Sequence, residues 1–112
     1  HGQTHGGIAQ GVGQAMWERC YLDPTSGQRL AGSFMDYGML RADNMPSFRT
    51  EIAEVLSPSN PLGIKAGGEG GTTPALSVIV NALVDALKDY GVRDIQMPTT
   101  PQRIWRLIHK AV

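Results

Sequence analysis

Apolar residues recur at three- and four-residue spacing over residues 4–20, where Ile8, Val12, Ala15 and Met16 fall on one side of a predicted helix. Gly7 and Gly11 lie four apart on the same helix. Each costs it about 1 kcal/mol relative to alanine, which implies a close approach by something else at that face. A wider apolar stripe follows later in the chain, made of Leu76, Ile79, Val80, Leu83, Val84 and Leu87. Thr73 is placed to cap this helix, Pro74 suits its first position, and Gly91 suits its end. Ser77, Asn81, Asp85 and Lys88 form the polar face. A third helix opens at Thr100-Pro101, with Ile104, Leu107, Ile108 and Ala111 on one side.

Between the helices the pattern shortens. Asp23-Pro-Thr-Ser-Gly27 is a turn between the runs 20–22 and 28–34, which predicts a β-hairpin. Residues 48–56 lie between Pro46 and Pro58 and carry Thr50, Ile52 and Val55, which predicts a strand. A short strand at 92–97 is expected after Gly91. The expected class is α+β, with about three helices packed against short mixed or antiparallel strands.

Glycine changes the picture from fold to chemistry. Ten of the fourteen glycines fall within residues 1–13 and 63–71, and Glu69 has two glycines on each side. Glycine lets main chain approach a ligand closely, so these clusters, with Gln3, Gln10 and Glu69, read as a binding surface built largely of backbone. A carboxylate presented this way suits a general base. The remaining composition narrows the partners. Ten basic and ten acidic residues cancel without a basic run, which argues against nucleic acid as a partner. No apolar run approaches the roughly 20 residues of a membrane helix, so no membrane span is expected. One cysteine, Cys20, rules out an internal disulfide or a cysteine-built cluster; it is expected as a small buried apolar residue. That usage suits a cytoplasmic setting, with the periplasm also open. His1 and His5 have helical spacing but no evident third ligand. Asp36, Tyr37 and Arg41 suit either a substrate channel or an internal hydrogen-bond set. Trp17 and Trp105 suit core or interface anchors.

Four blocks then combine: Gly2-Gln-Thr-His-Gly-Gly-Ile-Ala-Gln-Gly11, Gly32-Ser-Phe-Met-Asp-Tyr-Gly-Met-Leu-Arg-Ala-Asp43, Asn60-Pro-Leu-Gly-Ile-Lys-Ala-Gly-Gly-Glu-Gly-Gly71 and Met97-Pro-Thr-Thr-Pro-Gln-Arg-Ile-Trp105. Their order and spacing resemble the C-terminal part of the molybdenum-binding subunit of the xanthine dehydrogenase, aldehyde oxidase and aerobic carbon monoxide dehydrogenase family. The resemblance implies that residues 1–112 are an incomplete C-terminal portion of a molybdopterin-binding domain. It implies an oxidoreductase that hydroxylates small molecules (aldehydes, N-heterocycles or carbon monoxide) with oxygen from water. In that reading Glu69 is the catalytic base, and Gln10, Gly6, Gly7 and Gly68 contact the molybdopterin cofactor. No residue here ligates the metal, and iron–sulfur clusters and FAD belong to other subunits or domains. Gly70-Gly71 departs from the bulkier residues that follow the glutamate in many relatives, which puts the local loop shape in question.

The implied partners are the remainder of the molybdenum subunit, the iron–sulfur and flavin subunits, and a small-molecule substrate. Alone, the chain is expected to hold no stoichiometric molybdenum and to self-associate through apolar surface. The competing function class is a catalytically inactive remnant acting as an interaction or scaffold module.

Overall fold

The computed structural model describes residues 1–110, so Ala111 of the predicted third helix lies outside the described residues. Three helices form: α1 (Gly2–Met16), α2 (Thr72–Ala86) and α3 (Pro101–His109). All three were legible as apolar periodicity, with shifted ends. The first starts two residues earlier than its pattern and stops at Met16.

Glycine decides how α1 and α2 meet. A Cβ on Gly11 would sit 2.6 Å from the Ala75 Cβ and 2.9 Å from the Thr72 carbonyl oxygen. One on Gly71 would lie 2.5 Å from the Thr4 carbonyl and 2.9 Å from the Ile8 nitrogen. Gly7 is buried at the same crossing, against Gly71 and Thr72. The close approach implied by Gly7 and Gly11 is therefore the start of α2. It also explains why α2 has Gly71 as its N-cap rather than Thr73. A capping side chain at that position would run into the backbone of α1. Thr73 instead gives its N–H to the Glu69 carbonyl at 3.1 Å.

The C-terminal third keeps its expected start signal at Thr100-Pro101, but α2 ends at Ala86, five residues before the Gly91 expected to stop it. After α2 a 3-10 turn, Lys88–Tyr90, leads into Gly91 with φ of 81°, a conformation that favours glycine. Thr100 caps α3, accepting from the Arg103 N–H at 3.3 Å, and Pro101 opens the helix. Leu87, Val92 and Ile95 form the buried cluster, with Leu83, Val84, Ile104, Leu107 and Ile108 packed against it. Thr99 is completely buried and ties this end to α1. Its N–H (2.6 Å) and its hydroxyl (3.0 Å) both donate to the Ala15 carbonyl.

The β half of the expected α+β class is the point of correction. Among the described residues the only β feature is one antiparallel bridge, Leu22 with Arg29. The turn was right: Gly27 donates to the Asp23 carbonyl at 2.8 Å, and the Asp23 carboxylate accepts from Ser26. An isolated two-stranded ribbon is marginal in water, and no third strand supports this one. Residues 48–56 and 92–97 are extended or irregular rather than paired. Ile52, Val55 and Leu56 are 64–71% exposed, so their β propensity has no sheet to act in. Cys20 is also exposed rather than buried.

Much apolar surface stays uncovered. The chain exposes 8726 Å², against about 6,000 Å² for a compact chain of this mass. Its radius of gyration is 17.8 Å, against about 13 Å for a compact domain of this size. Phe34 and Met35 are 84% and 94% exposed. These values describe an extended chain with much of its apolar surface open.

Beyond the helices, one hydrogen bond holds the 33–41 segment to the end of α1. The half-buried Tyr37 hydroxyl donates to Glu18 Oε2 at 2.7 Å. This bond, with partial burial and the Glu18 charge, pushes the phenol up from 10.0 to about 12.

Three outcomes are expected. Gly11→Ala destabilises by about 1–3 kcal/mol through overpacking, although alanine is the better helix former, whereas Gly2→Ala, with open space around its Cβ, is neutral or slightly stabilising; thermal melts of the two variants check this. The raised Tyr37 pKa means that the folded state holds the phenol proton more tightly than the unfolded state. Its contribution to stability is complete below pH 10 and is lost as pH rises toward about 12, so stability profiles of wild type and Tyr37→Phe converge across that window. The isolated chain self-associates through its exposed apolar residues, and sedimentation at micromolar concentration reads this directly; a clean monomer refutes it.

Candidate functional site

The two glycine clusters meet. Gln3, on the first turn of α1, donates its amide to the Gly68 carbonyl at 2.8 Å. Gln10, two turns along α1, has its amide oxygen 3.5 Å from the Thr72 hydroxyl, at the outer limit of a hydrogen bond. One face of α1 thus runs beside residues 68–72, and the structure gathers Gln3, Gln10 and Glu69 at one patch, as the sequence pattern implied.

The loop that carries Glu69 is held at both ends. Upstream, the Asn60 side chain brackets Ile64, donating to its carbonyl at 3.0 Å and accepting its N–H at 2.9 Å. Gly63 turns there with φ of 66°, and a Cβ would meet Leu56 at 2.8 Å. Downstream, the buried Gly71 is wedged against α1. Between these anchors Gly70 donates to the Gly67 carbonyl at 3.4 Å, a shallow turn with Glu69 inside it. The Glu69 carboxylate is exposed and enters no hydrogen bond or ion pair among the described residues. It sits just before the N-terminus of α2, where the helix dipole favours negative charge.

Three glycines at this patch pack against nothing among the described residues. A Cβ on Gly6, Gly67 or Gly68 would meet nothing within 4 Å, and none of the three has a left-handed φ. Whatever makes glycine useful at these positions lies outside the described residues. Gly7 differs, since its contacts are with α2. The early start of α1 also matters. The amides of Gly6 and Gly7 lie beyond its first turn, in the range where N–H groups bond within the helix, so they are not the open anion-binding donors that a later start would have made them.

The other candidates separate. His1 Nδ1 and His5 Nε2 lie 2.6 and 3.3 Å from the Thr50 hydroxyl, and His5 stands edge-on to Phe48 with ring centroids 5.5 Å apart. They dock the 48–50 segment onto α1, and no group of three metal-ligating side chains exists among the described residues. Asp36 accepts from Ser33 at 2.7 Å, Tyr37 bonds Glu18, and Arg41 pairs with Asp43 at 3.5 Å on the surface. Each thus has its own partner, while Tyr37 and Arg41, without Asp36, line one open cavity of about 600 Å³ beside Trp17. The sequence reading missed the cavity of about 570 Å³ between α1, α2 and residues 44–48. Ile8, Val12, Met45, Phe48 and Ile79 line it, with Gly70 and Gly71 at its edge. Its only sequence signal was the two apolar stripes, each broader than the partner inside the chain requires.

Comparison with known proteins accounts for this half-finished shape. Residues 1–46 match the family model described as a molybdopterin cofactor-binding domain. The chain is 41% identical over 107 residues to the 6-hydroxypseudooxynicotine dehydrogenase complex subunit gamma of Paenarthrobacter nicotinovorans, covering 93% of this chain and 13% of that protein. It is 32% identical over 105 residues to the carbon monoxide dehydrogenase large chain of Hydrogenophaga pseudoflava, covering 94% of this chain and 13% of the relative. The crystal structure of quinoline 2-oxidoreductase from Pseudomonas putida 86 superposes with a TM-score of 0.90 at 38% identity, over 97% of this chain and 14% of that one. The chain thus spans about one-eighth of the length of the curated relatives it matches, and over that span it is similar to a segment of molybdenum-binding large subunits of the xanthine dehydrogenase and carbon monoxide dehydrogenase type.

Proposed function

We propose that the chain is a catalytic segment of a molybdenum hydroxylase large subunit, in which Glu69 is the general base and Gln10, Gly6 and Gly68 face the cofactor. The observation that carries this reading is the meeting of Gln3, Gln10 and the Glu69 loop beside Gly6, Gly67 and Gly68, glycines whose open faces nothing in the chain fills. These residues suit a pterin. An amide such as Gln10 offers a donor and an acceptor in one plane, and its nitrogen has no partner among the described residues. Side chains are absent where a flat ring system would lie against main chain. Gly7 takes the packing role its contacts give it.

When bound, the molybdenum cofactor supplies the two-electron redox centre and the Lewis acidity that makes water-derived oxygen a nucleophile near neutral pH. The chain's own share is proton handling and placement. The exposed, unpaired carboxylate of Glu69 is free to accept a proton at its oxygen, and Gln3 and Gly71 hold the backbone on either side of it. General-base action needs that fixed reach before it needs a tuned pKa. The proposed substrates are small molecules with an electron-poor carbon, such as aldehydes or N-heterocycles, or carbon monoxide. The reading extends to iron–sulfur and flavin partners that carry electrons away, and to a cytoplasmic location. Because the chain spans a small part of its relatives, catalysis belongs to the subunit that contains it.

In that full subunit, Glu69→Gln keeps size and hydrogen-bonding shape but removes the proton acceptor. Turnover is expected to fall by roughly 10²–10⁴ with molybdenum content and thermal stability nearly unchanged. Gln10→Ala should lose cofactor occupancy first, with activity falling in proportion. Steady-state kinetics beside molybdenum analysis separates the two. Near-normal turnover of a molybdenum-replete Glu69→Gln enzyme would reduce the carboxylate to an ordinary loop residue and overturn its role as base.

A further inference from the structure

Away from the Glu69 patch, three guanidinium groups surround one small cavity. It measures about 140 Å³ and lies at the start of α3, lined by Arg19, Arg103 and Arg106 with Pro98, Thr100 and Gln102. No acidic side chain lines it. The two ion pairs formed among the described residues, Arg41–Asp43 and Lys88–Asp85, leave all three arginines without a carboxylate. Arg103 and Arg106 are three apart on α3, a spacing at which like charges repel, and Arg19 comes from the end of α1 to add a third.

Two of the three are already held in place. Arg103 Nη1 donates to the Gln96 carbonyl at 2.5 Å. The Arg19 guanidinium stacks over the Tyr21 ring, 4.6 Å from its centroid. Thr100 uses its hydroxyl on the Arg103 N–H, which leaves the Gln102 N–H unclaimed at the positive end of a nine-residue helix. Asp94 shares a neighbouring cavity with Arg103 and Arg106 but pairs with none of the three, and an anion among the arginines would relieve their mutual repulsion.

We infer that this cavity is a site for a tetrahedral oxyanion of the phosphate class. A carboxylate engages one guanidinium fork. Three arginines lining one cavity, Arg19 from the segment after α1 and Arg103 and Arg106 from α3, match several oxygens and a charge of two. The planar guanidinium suits this better than lysine would.

The test uses the full-length subunit that carries the segment, with inorganic phosphate as probe and acetate and chloride at equal ionic strength as controls. Phosphate should bind saturably and raise the melting temperature beyond either control. Arg106→Gln and Arg19→Gln, both exposed positions, should each weaken the binding about tenfold or more, the worth of one charge-assisted hydrogen bond, with Arg106→Lys intermediate. Unaltered phosphate binding in both glutamine variants overturns the assignment. So does equal binding of acetate, or no saturable phosphate binding in the unmodified subunit. The glutamine variants should keep wild-type turnover, so this test fails or succeeds independently of Glu69.

Discussion

Everything else in the molecule depends on how closely α1 and α2 approach. Helix axes usually pack 8–10 Å apart because side chains hold them there. Here Gly7, Gly11 and Gly71 remove those side chains at the crossing, and a Cβ on Gly11 or Gly71 would overlap the facing helix. The contact does more than join two helices. Gly71 is the N-cap of α2, two residues after Glu69, so the crossing that fixes the helix start also fixes the loop that carries Glu69. The helix propensity lost to glycine is exchanged for position. Gln3 completes the arrangement by bonding the loop backbone at Gly68, leaving the carboxylate one residue on without a partner.

The parts of this arrangement legible in the sequence share one property: their cause is local. Helical periodicity, the Thr100-Pro101 start and the Asp23–Gly27 turn each arise from a few neighbouring residues and appear in the structure, although α1 and α2 end early, at Met16 and Ala86. The cost of Gly7 and Gly11 was also readable, although the pattern named no partner for them. What was not legible depended on distant chain. Residues 48–56 have strand composition, yet a strand exists only through its neighbours, and none is available to Val55 or Leu56. Their side chains tell the same story: Phe48 and Thr50 dock on His5, while the backbone pairs with nothing. Thr99 was equally hidden, since its burial comes from an Ala15 carbonyl 84 residues away.

The candidate site divides along the same line. The glycine pattern placed Gln3, Gln10 and Glu69 together, and the hydrogen bonds to Gly68 and Thr72 do so. Periodicity could not reveal that α1 begins at Gly2, and that start moves Gly6 and Gly7 past the open end of the helix. Gly7 then belongs to packing and Gly6 to the exposed face. The arginine cavity gave even less warning. Arg19 is separated from Arg103 and Arg106 by most of the chain, and a net charge of zero conceals a local cluster of three.

The two unsatisfied features, a carboxylate without a cation and three arginines without an anion, look like natural partners for each other, and the chain keeps them apart. Glu69 is fixed at the start of α2 by backbone wedged against α1; the arginines gather where α1 ends and α3 begins. Pairing them would neutralise both charges. An isolated, exposed carboxylate beside side-chain-free main chain remains available to whatever fills the space against Gly6, Gly67 and Gly68. The two charged groups thus stand toward opposite ends of α1, the Glu69 loop beside its first turn and the arginines beyond its last.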